Sequence, residues 1–306
     1  MSVDELKSLH LAVLMGGPGS EREVSLRSGA AVARALGQAG YRVTEIDVKG
    51  PEFVLPNDTG LCVLMMHGTF GEDGQIQTIL DSRGIAYTGE GAIGSRVAFD
   101  KLASKERFAA AGVPTPRWEV LAPGEKPSLP LPIVVKVPRE GSSVGVHLVR
   151  AADQLEAALS DCAGLDREIL VEELIEGREL TVGVVGDRAM PVVEIRPHEG
   201  FYDYAHKYTK GASEYFCPAP LDEETTRLVQ ETALAAHRAL GLQVYSRVDI
   251  ILRADGAPFV LEANTIPGMT ETSLLPKSAA SAGITFPALC EEIARLSLQR
   301  HSADRS

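Results

Sequence analysis

The feature that most constrains the fold is an alternation in the first third of the chain, where short apolar runs are separated by stretches with helical spacing. Residues 11–15 are apolar, 23–38 follow a helical pattern, 42–48 and 61–66 are strand-like, and a second helical pattern lies near 75–83. Such βαβ alternation predicts a mostly parallel sheet with helices on its faces. Ligands on open sheets of this kind sit beyond the carboxyl ends of the strands. Two glycine-bearing turns fall at such ends, Gly16-Gly17-Pro18-Gly19-Ser20 and His67-Gly68-Thr69-Phe70-Gly71, and both are candidate ligand walls.

The style of the sequence then changes. Val113-Pro114-Thr115-Pro116 and the proline-rich residues 123–132 break the helical pattern and mark the passage into a second unit. Strand-like runs at 133–137, 146–149 and 169–172, a Gly/Ser loop at 140–145 and a helix over 154–159 predict a small α+β lobe. After Glu176-Gly177 come strands at 179–185 and 190–195, then a polar, aromatic-rich stretch from 197 to 215 without periodicity, long enough to serve as a lid. A helix over 222–240, strands at 245–252 and 259–262 and a closing helix at 286–298 complete a third unit. The expected division is 1–100, 101–177 and 178–306, which suits a chain of 306 residues, 44% of them hydrophobic.

Charge narrows the function. With 42 acidic against 30 basic side chains the net charge is -12, which repels a polyanion, and no Lys/Arg run offsets it. Nucleic acid is therefore not an expected partner. The first ten residues are polar, and the apolar run after them is too short for a signal-peptide core or a membrane span, so a cytoplasmic protein with no membrane partner is expected. Cys62, Cys162, Cys217 and Cys290 are scattered with no C-x-x-C pair, and neither a zinc site nor a disulfide framework is signalled.

Three constellations carry chemistry. Strand alternation puts residues i and i+2 on one face, so Arg247 and Asp249 project together, as do Glu262 and Asn264. Asp249, Glu262 and Asn264 are hard oxygen donors of the kind Mg²⁺ takes when phosphates and water complete its shell; salt-bridged strand ends are the bland alternative. Second, Lys136 leaves an apolar strand just before Gly141-Ser142-Ser143-Val144-Gly145, where glycine lets a backbone approach a phosphate and serial N–H groups make an anion-binding concavity. No G-x-x-x-x-G-K-[ST] occurs, so this is not a P-loop. Third, residues 169–179 run from an apolar strand into acidic residues at a lobe boundary, where Glu172 or Glu173 is placed to accept the adenine amino proton and Glu179 the ribose hydroxyls; a solvated acidic turn is the alternative.

The first glycine-rich turn begins like a dinucleotide fingerprint but fails it, because Arg22 occupies the third glycine position and Pro18 the turn. Asp47, at the end of the second strand, keeps a nicotinamide dehydrogenase open as an alternative. Glu21, near a helix start, is a candidate for a substrate ammonium. His67 stands at the mouth of the sheet, and no G-x-S-x-G elbow supports a hydrolase.

Together these residues resemble the ATP-grasp superfamily and, within it, the D-alanine:D-alanine ligases of bacterial cell-wall synthesis. The resemblance runs nearly end to end, through Gly16-Gly17 with Glu21-Arg22-Glu23-Val24-Ser25, His67-Gly68 with Gly71-Glu72-Asp73-Gly74, Tyr87-Thr88-Gly89, Asp100-Lys101, Arg139 to Gly145, Phe201-Tyr202-Asp203-Tyr204 with Lys207-Tyr208, Arg247-Val248-Asp249, and Glu262-Ala263-Asn264-Thr265 with Pro267-Gly268-Met269-Thr270. It implies an α/β and α+β architecture of three domains, an N-terminal Rossmann-like parallel sheet and two ATP-grasp lobes clasping ATP. It implies that Lys101, Lys136 and Lys207 reach the phosphates and that Asp249, Glu262 and Asn264 hold two Mg²⁺ (or Mn²⁺) ions. The first D-alanine, its ammonium on Glu21, would form an acyl phosphate. The second, its carboxylate on Ser273 and Leu274, would displace phosphate through an oxyanion held by Arg247 and the Gly268 N–H. His67 joins the substrate-binding set, and Glu21, Ser142 and Tyr208 resemble the family's triad linking first domain, serine loop and lid. Many relatives carry Lys where this chain has Glu173, which shifts adenine contact toward Glu172, backbone groups or Lys136. Two rivals remain: another carboxylate-amine ligase on the same scaffold, and a nucleotide-binding module without turnover. A symmetric homodimer is the default assembly.

Overall fold

The computed structural model describes residues 3–141, 144–197 and 213–304. Strand β1 (His10–Gly16) lies between β2 (Arg42–Val48) and β3 (Thr59–Met65), parallel to both. Its seven residues are all buried because both faces are covered. Leu11 and Val13 pack with Val32 and Leu36 of α2 (Arg22–Gln38), whereas Ala12 and Leu14 pack with Ile76 and Leu80 of α3 (Gln75–Ser82). A short helix, α1 (Val3–Lys7), precedes this sheet.

The second sheet is antiparallel, in the order β4-β7-β5-β6: β4 (Trp118–Leu121), β5 (Ile133–Lys136), β6 (Val146–Val149) and β7 (Ile169–Glu173). Helix α6 (Ala152–Ala163) covers it, with Ala158 and Cys162 packed on Val135, Val149 and Val171. Because β4 precedes residues 123–132, the proline-rich segment is a connection inside this sheet and not part of the entrance to it. The third sheet runs β11-β10-β8-β12-β13, with β9 on β8: β8 (Gly177–Val185), β9 (Arg188–Ala189), β10 (Val193–Pro197), β11 (Ser213–Phe216), β12 (Tyr245–Arg253) and β13 (Pro258–Asn264). Strand β11 falls in the stretch expected to be loop.

Helices α4 (Ala92–Phe99) and α5 (Lys101–Ala111) join the first two sheets; α7 (Glu223–Ala239), α8 (Leu274–Ser281) and α9 (Phe286–Asp304) follow in the last third. The Asp100 carboxylate accepts the N–H groups of Leu102 and Ala103 to start α5, and Gly112, at φ 68°, ends it. Packing reaches across the chain order. Ala98 and Phe108 of α4 and α5 share a core with Leu180, Val182 and Val229, and Leu289 and Ile293 of α9 share one with Val32 and Leu36 of α2.

All four cysteines are free; burial pushes the Cys62 and Cys290 thiols up to about 12, so they are inert at neutral pH. Among the described residues no helix is long and apolar enough to cross a membrane.

Candidate active site

One cavity of about 880 Å³ is walled by the turns of the first sheet, by β5 and β7 of the second and by β8, β12 and β13 of the third. Its floor is the β12–β13 pair. The antiparallel register sets Arg247 opposite Asn264 and Asp249 opposite Glu262, with a bulge just after Asp249. All four side chains line the cavity, as alternation requires. Arg247 donates to Asp249 from Nε at 3.0 Å and from Nη2 at 2.8 Å, and Asn264 Nδ2 donates to Asp249 Oδ2 at 3.2 Å. Thr181, on β8, donates its hydroxyl to Asp249 Oδ1 at 2.6 Å. Lys101 Nζ stands 3.7 Å from Glu262 Oε2 and donates to the Glu140 carbonyl at 2.7 Å. Among the described residues no three His, Cys, Asp or Glu side chains gather as a self-sufficient metal site. Two carboxylates and an amide fit a cation that draws the rest of its shell from phosphates and water, as Mg²⁺ does.

On the opposite wall Lys136 Nζ lies 2.9 Å from Glu172 Oε2, and the other oxygen, Oε1, lies 2.7 Å from Lys105 Nζ. Burial opposes ionisation of Glu172, but the two ammonium groups outweigh it and hold the carboxyl below its usual pKa. Both oxygens expected to face adenine are thus engaged by lysines. Glu173 turns the other way, accepting the Arg117 backbone N–H at 2.9 Å and Arg117 Nε at 2.7 Å, and Glu179 reaches the cavity from β8.

The first-sheet wall is set by Glu21, which precedes α2. Its Oε2 rests on bare backbone: a Cβ at Gly141 would stand 2.7 Å from it, and one at Gly68 nearer still. His67 is buried, donating from Nδ1 to the Ile266 carbonyl at 2.6 Å while Nε2 accepts from the Ser28 hydroxyl at 2.8 Å. Burial lowers its pKa, and this pairing suits the neutral ring. Ser28 Oγ also accepts the Met269 N–H at 3.2 Å. Glu72 accepts the N–H groups of Gly68 at 2.8 Å and Ile266 at 2.9 Å; burial, reinforced by the charge of Glu21, pushes its carboxyl up to about 8. The strip 266–269, which contains Gly268, is therefore held from the first sheet at three points.

Twelve of the expected residues line this cavity: Glu21, His67, Lys101, Lys136, Glu172, Glu173, Glu179, Arg247, Asp249, Glu262, Asn264 and Gly268. Ser273 and Leu274 stand just behind it at the start of α8. The Ser273 hydroxyl accepts the Thr270 N–H at 3.0 Å and would lie 3.1 Å from a Cβ on Gly268. Ser142, Lys207 and Tyr208 lie outside the described residues. Lys105, Ser28, Thr181 and the role of Glu72 were not anticipated. For Lys105 a signal existed, since i, i+4 spacing puts it on the same helix face as Lys101.

The nicotinamide alternative fails on geometry. Arg22 Nη2 donates to Asp47 Oδ2 at 2.8 Å and Nη1 to the Gly17 and Val48 carbonyls, so the guanidinium fills the turn where a pyrophosphate would have to sit and occupies the ribose-binding acid.

Comparison with known proteins identifies the family. A family model described as D-ala D-ala ligase C-terminus matches residues 108–295. A D-alanine–D-alanine ligase of Methylacidiphilum infernorum is 52% identical over 96% of this chain and 97% of its own length, and one of Citrifermentans bemidjiense is 47% identical over 94% and 95%. The crystal structure of D-alanine–D-alanine ligase from Bacillus anthracis complexed with ATP superposes with a TM-score of 0.86 at 32% identity, covering 97% of this chain and 99% of that one. The fold is ATP-grasp, as the resemblance implied, and the chain belongs to the D-alanine–D-alanine ligase family.

Proposed function

We propose that this protein joins two D-alanine molecules into D-alanyl-D-alanine at the expense of ATP, through an acyl phosphate, for peptidoglycan synthesis. The observation that carries the reading is the convergence on one cavity of an oxygen set (Asp249, Glu262, Asn264), two lysines (Lys101, Lys136) and, across from them, the Glu21 carboxylate. Asp249, Glu262 and Asn264 would hold two Mg²⁺ or Mn²⁺ ions, which when bound neutralise charge on the phosphate oxygens. Lys101 and Lys136, with Lys207, bring positive charge to the triphosphate, while backbone groups at 172–174 meet the adenine and Glu179 the ribose.

Glu21 anchors the ammonium of the first D-alanine and orients its carboxylate toward the γ-phosphorus. One carboxylate oxygen bonds to phosphorus as the bond to the β-phosphate oxygen breaks, releasing ADP. The amine of the second D-alanine, held through Ser273 and Leu274, then attacks the carbonyl carbon. Charge gathers on the carbonyl oxygen, where Arg247 and the Gly268 N–H are placed to stabilise it, and phosphate leaves as the amide forms; losing one such donor typically costs about 3–4 kcal/mol. By the family resemblance, Ser142 and Tyr208 would join Glu21 in keeping water from the acyl phosphate. The reading keeps three domains at 1–100, 101–177 and 178–306, supported by three separate sheets, and a cytoplasmic homodimer.

Mass spectrometry after incubation with ATP, Mg²⁺ and D-alanine tests it. The dipeptide with equimolar ADP and phosphate is expected, and none with L-alanine. ATP binding without any dipeptide would overturn the reading.

A further inference from the structure

We infer that Lys105, which is not on the cavity wall, is a positioning residue for the nucleotide: it engages one oxygen of Glu172 so that Glu172 steers Lys136 without cancelling its charge. The inference rests on the proposed ATP site. Three ionised groups stand in a row, Lys105, Glu172 and Lys136, with side chains only 1%, 2% and 8% exposed. Their sum is one positive charge; Lys136 and Glu172 line the cavity, and Lys105 stands behind them. A buried charge persists where it is paired, and a carboxylate with two oxygens accommodates two donors. With Lys105 absent, Lys136 would be the sole counterion of Glu172, the pair would be neutral, and an incoming triphosphate would compete with Glu172 for the same ammonium.

Lys105 also has a second anchor. Its Nζ donates to Thr115 Oγ1 at 2.7 Å, and the Thr115 hydroxyl donates to the Val260 carbonyl at 2.8 Å. Val260 lies on β13, two residues before Glu262. One line of contacts therefore runs from the strand that carries Glu262, through Thr115, Lys105 and Glu172, to the lysine on β5. Burial pushes the Lys105 ammonium down to about 8 against the pull of Glu172, so it is still charged at neutral pH.

The test is a double-mutant cycle in ATP binding, read by calorimetry with Mg²⁺ and no D-alanine, together with steady-state kinetics. Lys105→Met is expected to bind ATP about tenfold more weakly, the scale of one charge-assisted bond. The KM for D-alanine should stay within about twofold of wild type, and Lys105→Arg should recover part of the affinity. On a Glu172→Gln background, Lys105→Met should have no further effect on ATP binding. The double variant removes one cation and one anion together, so this arm reads the coupling even where the single variant does not fold. Wild-type affinity in Lys105→Met, an equal rise in both KM values, or a further loss of ATP binding in the double variant over Glu172→Gln would each overturn the inference. Failure of the wild-type protein to bind ATP would instead remove the nucleotide reading itself.

Discussion

The contact of the Glu21 carboxylate with two glycines permits a prediction that separates the site from the scaffold. In Gly141→Ala the new methyl carbon would stand 2.7 Å from Glu21 Oε2, so the carboxylate must retreat by about 0.7 Å to reach ordinary contact at 3.4 Å. Gly141 has no positive φ, and the group it meets is the far end of a side chain, so stability should change by less than about 0.5 kcal/mol. A charge-assisted hydrogen bond to a substrate ammonium contributes about 1.5–3 kcal/mol. Displacing its acceptor should lower kcat/KM for D-alanine by about 10- to 100-fold. Gly68→Ala pushes on the same oxygen but also forces alanine to a φ of 71°, which adds about 1–2 kcal/mol of destabilisation. Coupled ADP-release kinetics across a D-alanine titration, with urea unfolding of both variants, measure the two effects. Similar kinetic losses with unequal stabilities are expected. A Gly141→Ala enzyme with kcat/KM within about threefold of wild type would show that Glu21 Oε2 has no part in holding the first substrate.

Two further outcomes follow from the site and the core. Glu262→Gln should abolish Mg²⁺-dependent turnover while leaving the unfolding transition in place, and ADP release at the wild-type rate in that variant would remove the metal assignment. His237 is buried, with Nδ1 on the Ser246 hydroxyl at 2.8 Å, and burial pushes its pKa down from 6.5 to about 4. The unfolded chain therefore takes up that proton first as pH falls. The stability His237 contributes is full above about 6.5 and is lost on the way down to about 4, amounting to about 3 kcal/mol. Urea unfolding of wild type and His237→Gln at pH 7 and pH 5 should show the wild type losing more on acidification, and parallel losses would refute the assignment.

The first sheet was legible because β1 and β3 carry apolar cores, β2 alternates apolar and polar residues, and α2 follows with helical spacing. The observed β1, β2 and α2 differ from expectation by at most a residue at each end. Helix α4 was missed because it starts after Gly91 with no side-chain cap, leaving no start signal in the sequence. Helix α5 has a good cap at Asp100 and a good stop at Gly112, but its inner face carries Lys101 and Lys105, and lysines read as a solvated surface. Strands β4 (WEVL) and β11 (SEYF) each carry a glutamate at their second position and no apolar run, unlike the equally short β5 (IVVK). The oxygen set on β12 and β13 was readable because period-two geometry alone brings those side chains to one face. The burial of Lys105 and Glu72 was not, because a buried ionisable side chain looks the same in sequence as one in water; for Lys105 the spacing from Lys101 gave only its helix face.

The three ties from the first sheet to the strip around Gly268 bear on how such a chain tolerates change. His67 and Ile266 are 199 positions apart, yet one carbonyl and one imidazole decide the pitch of the peptide that follows. A substitution at Ser28 would be felt first at an amide near the opposite terminus, while every group expected to touch substrate kept its identity. Drift in the two ends of the sequence is therefore coupled, and exchanging the first hundred residues between relatives requires matching Ser28, His67 and Glu72 to the incoming 266–269 segment.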